Sequence, residues 1–253
     1  MKGTWPLVVV CASLCHGAPA PSDTGESAMV PTNGLIAFYP FNGNANDESG
    51  KGHPGTVSGA TLTQDRFGRE KHAYAFDGVD DEIVIPPPAG LSSKGFTVSL
   101  WVRFDLPEKH DAWKDIGDGA IECRDPVIGQ DDGYAIRCFQ LWVWQGQLLW
   151  HRMNEYSSVW TKWHVEKDKW YHVAASFDGA KHVLLVNGKK EWGTPGIFKV
   201  SSCEPIRIGS KGDALVKKRA YFAGSVDDIR FYDRALTEAE VHSLFVEKPE
   251  GRR

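Results

Sequence analysis

Alternating apolar and polar side chains run through much of the chain and predict β-strands. The clearest stretch is Phe96–Phe104, where apolar residues stand at positions 96, 98, 100, 102 and 104. A period of two puts one set of side chains on a buried face and the other set on the opposite face. Residues 170–177 repeat this pattern, and the run 183–186 ends in Asn187-Gly188, a pair that closes two-residue hairpins. Similar short runs predict strands at 83–85, 134–139, 141–144, 147–150, 206–209 and 229–232.

One helix is predicted, close to the C-terminal end. The tetrapeptide TEAE (237–240) is a capping box, in which the Thr237 hydroxyl and the Glu240 carboxylate each bond a backbone amide at the helix start. Val241, Leu244 and Phe245 then form a small apolar stripe. Many short strands, glycine-containing turns and a single helix predict an all-β sandwich or barrel.

Five parts of the chain, in order, carry a family resemblance. They are GLIAFYPF with NANDESG (34–50), AFDGVDD (75–81), FTVSLWV (96–102), WYHVAASFDG with VNGK (170–189) and FAGSVDDIRFYDRAL (222–236). Together they resemble laminin G-like jelly-roll modules of the concanavalin A-like lectin/glucanase superfamily, over about 34–246. The resemblance implies an all-β, concanavalin A-like jelly-roll sandwich of two antiparallel sheets with one short C-terminal helix. Residues 105–127 depart from the pattern.

The N-terminal residues have the features of an export signal. Lys2 supplies a positive charge, residues 5–14 are mostly apolar, and Ala18-Pro19-Ala20 is a cleavage site of the A-x-A type. The apolar stretch is shorter than the roughly 20 residues needed to span a bilayer. We therefore expect a signal peptide at 1–20, a flexible lead-in at 21–33, one sandwich domain at 34–247 and a tail at 248–253. The mature protein is expected to be secreted, extracellular or periplasmic, and not membrane-spanning; a buried N-terminal segment is the alternative.

Charge and cysteine content narrow the class of protein further. The net charge is −4, and the one basic run is Lys217-Lys218-Arg219, so no nucleic-acid partner is expected. Signal removal leaves Cys123, Cys138 and Cys203. An oxidising compartment favours a disulfide, and the spacing of Cys123 and Cys138 suits a bridge between neighbouring strands, with one thiol left over.

Acidic residues at three places suit a hard cation. Calcium takes roughly six to eight oxygen ligands, often from aspartates in glycine-rich loops, and Asp47 and Asp77 lie in such loops. The resemblance adds Asp227, because in calcium-bearing relatives an aspartate of the closing strand joins oxygens from an early loop. The prediction is a structural calcium ion held by Asp47, Asp77 and Asp227. The alternative is that Asp47 and Asp77 cap turns by accepting backbone amides.

Ten tryptophans are an unusual number, and two of them suggest a ligand surface. Trp142 and Trp144 are two residues apart, so they point to the same face of a strand. An aromatic face can stack on the apolar face of a sugar ring, and Asp131 and Asp132 stand nearby to bond hydroxyls. These four residues are the predicted ligand-binding set. The alternative is that the rings fill the layer between the sheets.

The glucanases of this superfamily carry E-x-D-x-x-E on one strand, and that spacing is absent here. The nearest match starts at Glu166 but has Tyr171 in the third position, so no catalytic residues are assigned. The sequence therefore predicts a secreted, non-catalytic module that binds carbohydrate or a glycoconjugate. An extracellular protein-adhesion domain is the first alternative, and a polysaccharide hydrolase or lyase is the second.

Overall fold

The structure is a computed structural model, and it describes residues 29–105, 124–131, 137–144, 146–151, 158–196, 200, 204–213 and 218–249. The strands are β1 (Leu35–Tyr39), β2 (Thr56–Ser58), β3 (Thr61–Thr63), β4 (Ala73–Asp77), β5 (Glu82–Ile85), β6 (Phe96–Phe104), β7 (Arg124–Asp131), β8 (Arg137–Trp144), β9 (Gln147–His151), β10 (Val159–Trp160), β11 (Trp170–Phe177), β12 (Lys181–Val186), β13 (Lys189–Pro195), β14 (Ile206–Ile208), β15 (Ser210–Asp213), β16 (Lys218–Tyr221) and β17 (Ala223–Tyr232). In this part of the chain a single α-helix, α1 (Glu238–Phe245), follows them.

Two antiparallel sheets form the two layers of the molecule. The first has the order β13-β12-β11-β6-β17-β4-β3, with β1 also paired to β17. The second has the order β10-β9-β8-β7-β14-β5-β2, and β15 and β16 form a separate hairpin. The predicted fold class, a concanavalin A-like jelly-roll sandwich with one short C-terminal helix, is confirmed.

The inner faces of the two sheets meet in one aromatic and aliphatic core. The five alternating apolar side chains of β6 are almost completely buried, as the period of two predicts. Phe96 of the first sheet contacts Phe139 and Trp150 of the second, with ring centroids 5.5 and 6.3 Å apart. These contacts between layers join strands that are far apart in the sequence.

The outer face of the first sheet is also covered, because α1 packs on it. Thr97, Ser99 and Trp101, the polar-side positions of β6, are buried as well. Thr97 Oγ1 donates to Arg234 O and accepts from Leu236 N, at 2.9 Å in both cases, which fixes the approach to the helix. The second apolar cluster under α1 consists of Ala174, Leu185, Tyr232, Leu236, Val241 and Leu244.

The predicted capping box at the start of α1 is present. Thr237 Oγ1 accepts from Glu240 N at 3.3 Å, and Glu240 Oε2 accepts from Thr237 N at 2.9 Å. Arg234 also donates to Glu240, and this bond is the main reason that the pKa of Glu240 falls to about 2. The helix start is therefore held by charge as well as by its cap.

A buried ionic group, here called the Arg66 cluster, joins the β3–β4 loop to β17. It consists of Arg66, Asp227 and Asp228, and Arg66 Nη1 lies 2.7 Å from Asp227 Oδ2 and 2.5 Å from Asp228 Oδ2. Consecutive strand residues normally point to opposite faces. Here the pairing of β17 with β6 shifts register between Asp227 and Arg230, and Asp228 has a φ of 54°. This bulge brings both carboxylates to one guanidinium.

His172, on β11 beneath α1, makes the stability of the protein sensitive to acid. Burial, followed by the charges of Arg230 and Arg66, lowers its pKa to about 3. In the unfolded chain His172 takes up a proton near pH 6.5, whereas in the folded protein it stays neutral down to about pH 3. The free energy of unfolding therefore has its full value above pH 6.5. As the pH falls from 6.5 toward about 3, it decreases by at most about 1.4 kcal/mol per pH unit.

We expect His172→Gln to flatten this pH dependence between about pH 6.5 and 5. Urea unfolding of both proteins at about pH 7.5 and 5 measures the difference. Ser99 Oγ, 2.9 Å from His172 Nε2, remains close enough to bond a glutamine amide. Equal slopes in the two proteins would show that His172 is not the group responsible.

Candidate functional site

A groove opens at the end of the sandwich where β11 begins and β12 ends. Its volume is about 470 Å³, within the range of roughly 300–1,000 Å³ usual for ligand pockets. One wall is the connection between β10 and β11, the opposite wall is the β12–β13 hairpin, and the last residue of α1 closes one side. The lining residues are Trp163, His164, Glu166, Lys169, Tyr171, Val186, Asn187, Lys189, Glu191 and Phe245.

Two stacked rings form one aromatic surface of the groove. Trp163 lies nearly parallel to Tyr171, at 21° with centroids 5.5 Å apart. Tyr171 is buried and anchored in the core, and its hydroxyl accepts from Glu166 N at 2.9 Å. Trp163 Nε1 donates to Glu191 Oε2 at 3.0 Å. Trp163 is therefore held by the Tyr171 ring of β11 and by the Glu191 carboxylate of the opposite wall.

Charged and amide groups surround these rings. Lys169 Nζ lies 2.7 Å from Glu166 Oε1, and this hydrogen bond raises the pKa of Lys169, which stays charged. Asn187 has a φ of 49° in the turn of the hairpin, and its Oδ1 accepts from His172 N at 3.0 Å. Its side chain is thereby fixed at the groove, near Lys189. The groove therefore combines an aromatic surface with hydrogen-bond donors and acceptors.

The predicted tryptophan surface is only partly formed. Trp142 is 1% exposed, and Lys211 of the β15–β16 hairpin covers it, with Nζ 4.4 Å from a ring centroid. Its expected exposure is not found, because the β15–β16 hairpin covers this position of β8. Trp144 is partly exposed and stacks on Trp160, with centroids 5.8 Å apart. Asp132 and the side chain of Asp131 lie outside the described residues, so their role stays a prediction.

The three aspartates predicted to hold calcium have different partners. Asp47 accepts from Phe38 N, Ser49 N and His53 N. Burial favours its neutral form, but these bonds outweigh it and lower the pKa of Asp47. Asp47 thus has the bonding of a turn cap, and Asp227 bonds to Arg66. The geometry does not bring these two side chains to Asp77.

Asp77 instead lies beside Asp80 and Asp81 of the same loop. Ligand oxygens of Asp77, Asp80 and Asp81 all lie within 4.8 Å of one another, the one such acidic group in the part of the chain that is described. Burial, and then the charges of Asp77 and Asp80, raise the pKa of Asp81. A cation between these carboxylates would relieve that repulsion, so the donor set fits calcium.

Cys138 of the predicted disulfide is buried in the core. Cys123 lies outside the described residues, so the pairing stays a prediction. In the described ranges, no helix has the length and apolarity required to cross a membrane.

Sequence reasoning missed most of the groove. Its lining residues are spread from position 163 to position 245, and only their packing brings them together. The signals that could have indicated it are the hairpin pair Asn187-Gly188 and the density of tryptophan before Trp163, but neither led to a predicted site there.

Comparison with solved structures supports the same fold. Domain 4 of AbnA, a GH43 extracellular arabinanase from Geobacillus stearothermophilus solved with arabinotriose, aligns with a TM-score of 0.60 at 21% identity, over 83% of this chain and 97% of that one. The binding domain of Paraclostridial Mosquitocidal Protein 1 aligns with a TM-score of 0.65 at 18% identity, over 85% of this chain and 52% of that one. The botulinum neurotoxin serotype D binding domain gives 0.63 at 14%, over 87% and 52%. This chain thus spans about half the length of either toxin domain.

The sequence itself also matches a family. No curated protein matches the chain, but a family model described as the concanavalin A-like lectin/glucanases superfamily matches residues 76–242. That range covers well over half of the chain and includes β5 to β17 and the first part of α1. The chain belongs to the concanavalin A-like lectin/glucanases superfamily.

Proposed function

We propose that this protein is an extracellular, non-catalytic module that binds carbohydrate in the groove between the β10–β11 connection and the β12–β13 hairpin. The observation that carries the proposal is the fixed Trp163–Tyr171 stack inside a cavity lined by charged and amide groups. A sugar has an apolar ring face and hydroxyl edges, and such a ligand needs both kinds of contact. The arabinotriose complex of the arabinanase domain gives a precedent for sugar binding on this fold.

The carboxylates of the groove support binding rather than catalysis. Glu166 accepts from Lys169 and Glu191 accepts from Trp163, so both hold neighbouring side chains in place. Retaining hydrolysis would instead need two carboxyl groups about 5–5.5 Å apart that act on one glycosidic bond. The export signal predicted at 1–20 favours an extracellular setting, where glycans are abundant.

A glycan array tests this function most broadly. The purified protein is applied to neutral and charged glycans, with calcium and with a chelator. We expect binding to a restricted set of related glycans. A blank array in both conditions would contradict the proposal, and capture of an extracellular protein would then favour adhesion. Depolymerisation of a bound glycan would contradict the non-catalytic part.

The proposal includes a structural calcium ion at Asp77, Asp80 and Asp81. Asp77 ends β4, and the sheet order puts three strand spacings between β4 and β11, or about 14 Å. The ion would therefore stabilise the β4–β5 turn without contacting a ligand in the groove.

We expect calcium to increase the free energy of unfolding by about 2–3 kcal/mol at a concentration 100 times its Kd. The melting temperature should rise accordingly. Asp80→Asn should abolish this increment because it removes one of the three carboxylates. Asp80 is exposed, so we expect the variant to fold as wild type does. Thermal unfolding with calcium, magnesium or chelator measures the effect. A wild-type protein that responds equally to magnesium and calcium, or to neither, would refute the site.

A further inference from the structure

The aromatic surface of the groove continues beyond Trp163 along the side of the sandwich. Trp160 precedes Trp163 by three residues, so their Cα atoms are at most about 11 Å apart. Trp160 is 47% exposed and stacks on the partly exposed Trp144 of β8, at 26° with centroids 5.8 Å apart. The stack extends the aromatic surface from the groove to the outer face of the second sheet.

The adjoining edge of the first sheet contributes one more exposed ring, that of Trp192. Strand β10 is the edge of the second sheet, β13 is the edge of the first, and the two pack together. Glu191 of β13 bonds Trp163, and the next residue, Trp192, is 50% exposed. Lys162 Nζ lies 5.5 Å from the centroid of the Trp192 ring. Aromatic and charged groups therefore lie next to each other where the sheet edges meet.

We propose that Trp144, Trp160 and Trp192, here called the aromatic seam, extend the groove into a binding site for an internal stretch of a polysaccharide chain. The inference rests on the proposed function, and it names the ligand class: a polymer that binds along several sugar units, rather than a terminal sugar alone. The seam adjoins the groove, because Trp160 precedes Trp163 by three residues and Trp192 follows Glu191.

Chemical complementarity favours a glycan over a protein on this seam. Exposed apolar side chains that cluster beside polar residues are typical of ligand-binding grooves and interaction surfaces. A broad apolar patch would suit a protein interface, but here Lys162 and Glu191 interrupt the rings. A sugar chain repeats apolar ring faces between hydroxyl edges, which matches that combination.

A length series of one glycan identified on the array tests the proposal. Titration calorimetry compares oligosaccharides of increasing length on wild type, Trp160→Ala, Trp192→Ala and Val57→Ala. We expect wild-type affinity to rise roughly tenfold or more with length and then level off. Either tryptophan variant should lose most of that gain but bind the shortest ligand normally. Val57 is an exposed apolar residue of β2, at the opposite edge of the second sheet, so its variant should match wild type.

The outcomes separate this proposal from the proposed function. Affinity that is independent of length, or unchanged long-ligand affinity in folded Trp160→Ala and Trp192→Ala, would overturn the seam and leave the groove intact. Absence of binding at every length would overturn the proposed function itself. Trp160→Tyr keeps a ring and should retain most of the length dependence, which separates lost stacking from altered folding. Capture of a protein by the seam, with no length dependence for glycans, would also count against the proposal.

Discussion

Replacing Arg66 with alanine is expected to lower the free energy of unfolding by about 3–5 kcal/mol. The Arg66 side chain is 4% exposed, and both of its carboxylate partners are completely buried. Its guanidinium also lies between the rings of Phe67 and Trp101, at 4.3 and 4.5 Å. Alanine would leave Asp227 and Asp228 as buried negative charges next to each other.

Urea unfolding near pH 7.5 measures this loss, and Arg69→Ala is the matched control in the same loop. Arg69 pairs with Asp65, but its side chain is 29% exposed, and Asp65 keeps hydrogen bonds from two backbone amides. We expect a clearly smaller loss in the control. Arg66→Lys should fall between wild type and Arg66→Ala, because it keeps the charge but not the planar contact.

The pH dependence of the Arg66→Ala defect gives an independent check. Without the guanidinium, the two neighbouring carboxylates would lose an opposite charge, which favours their neutral forms. Protonation would then relieve the repulsion, and the stability gap to wild type should shrink as the pH falls below about 5. A gap below about 1 kcal/mol at neutral pH would contradict the assignment of Arg66 as their counter-charge.

Replacing Trp163 with alanine is expected to weaken glycan binding by about 30-fold or more, which corresponds to about 2 kcal/mol. The change removes the ring that stacks on Tyr171 and the donor that holds Glu191. One wall of the groove loses its aromatic ring, and the opposite wall loses the hydrogen bond that positions Glu191.

Two further variants separate these contributions. Trp163→Phe keeps a ring but not the donor, and Glu191→Gln keeps an acceptor for the indole. We expect intermediate affinity for the first and a small change for the second, by calorimetry with a short oligosaccharide. Trp163 packs against the core, so unfolding curves must show that each variant is folded. Unchanged affinity in folded Trp163→Ala would place the ligand elsewhere.

The fold was predictable because its signals are local. The period of two in β6 and β11, the hairpin pair Asn187-Gly188 and the capping box at Thr237 each depend on residues next to one another in sequence. Their physical causes, strand pleating, left-handed φ and unsatisfied helix amides, act over a few residues. The order of these segments then determined the family resemblance.

The accessibility of individual side chains was not predictable in the same way. The period of two places Trp142 and Trp144 on one face, but it does not say that the β15–β16 hairpin covers Trp142 and leaves Trp144 partly open. The outer face of β6 is similarly buried by α1. Both results depend on packing between segments that are distant in the sequence.

The partner of Asp227 shows the same limit. The resemblance suggested a metal ion, whereas the structure places Arg66 there, 161 residues earlier in the chain. A bulge at Asp228, which no pattern in the sequence marks, makes that contact possible. The acidic group at Asp77 could be located by composition, but its geometry with Asp80 and Asp81 depends on the turn.

An NMR titration can show whether the groove beside Trp163 binds carbohydrate. The indole Nε1–H of Trp163 and the side-chain amide of Asn187 are followed in ¹⁵N-labelled protein while a short oligosaccharide from the array is added. We expect saturable shifts of both signals with one dissociation constant, and no shift for the amide of Val57. Saturable binding that leaves both groove signals unmoved would contradict carbohydrate binding in this groove.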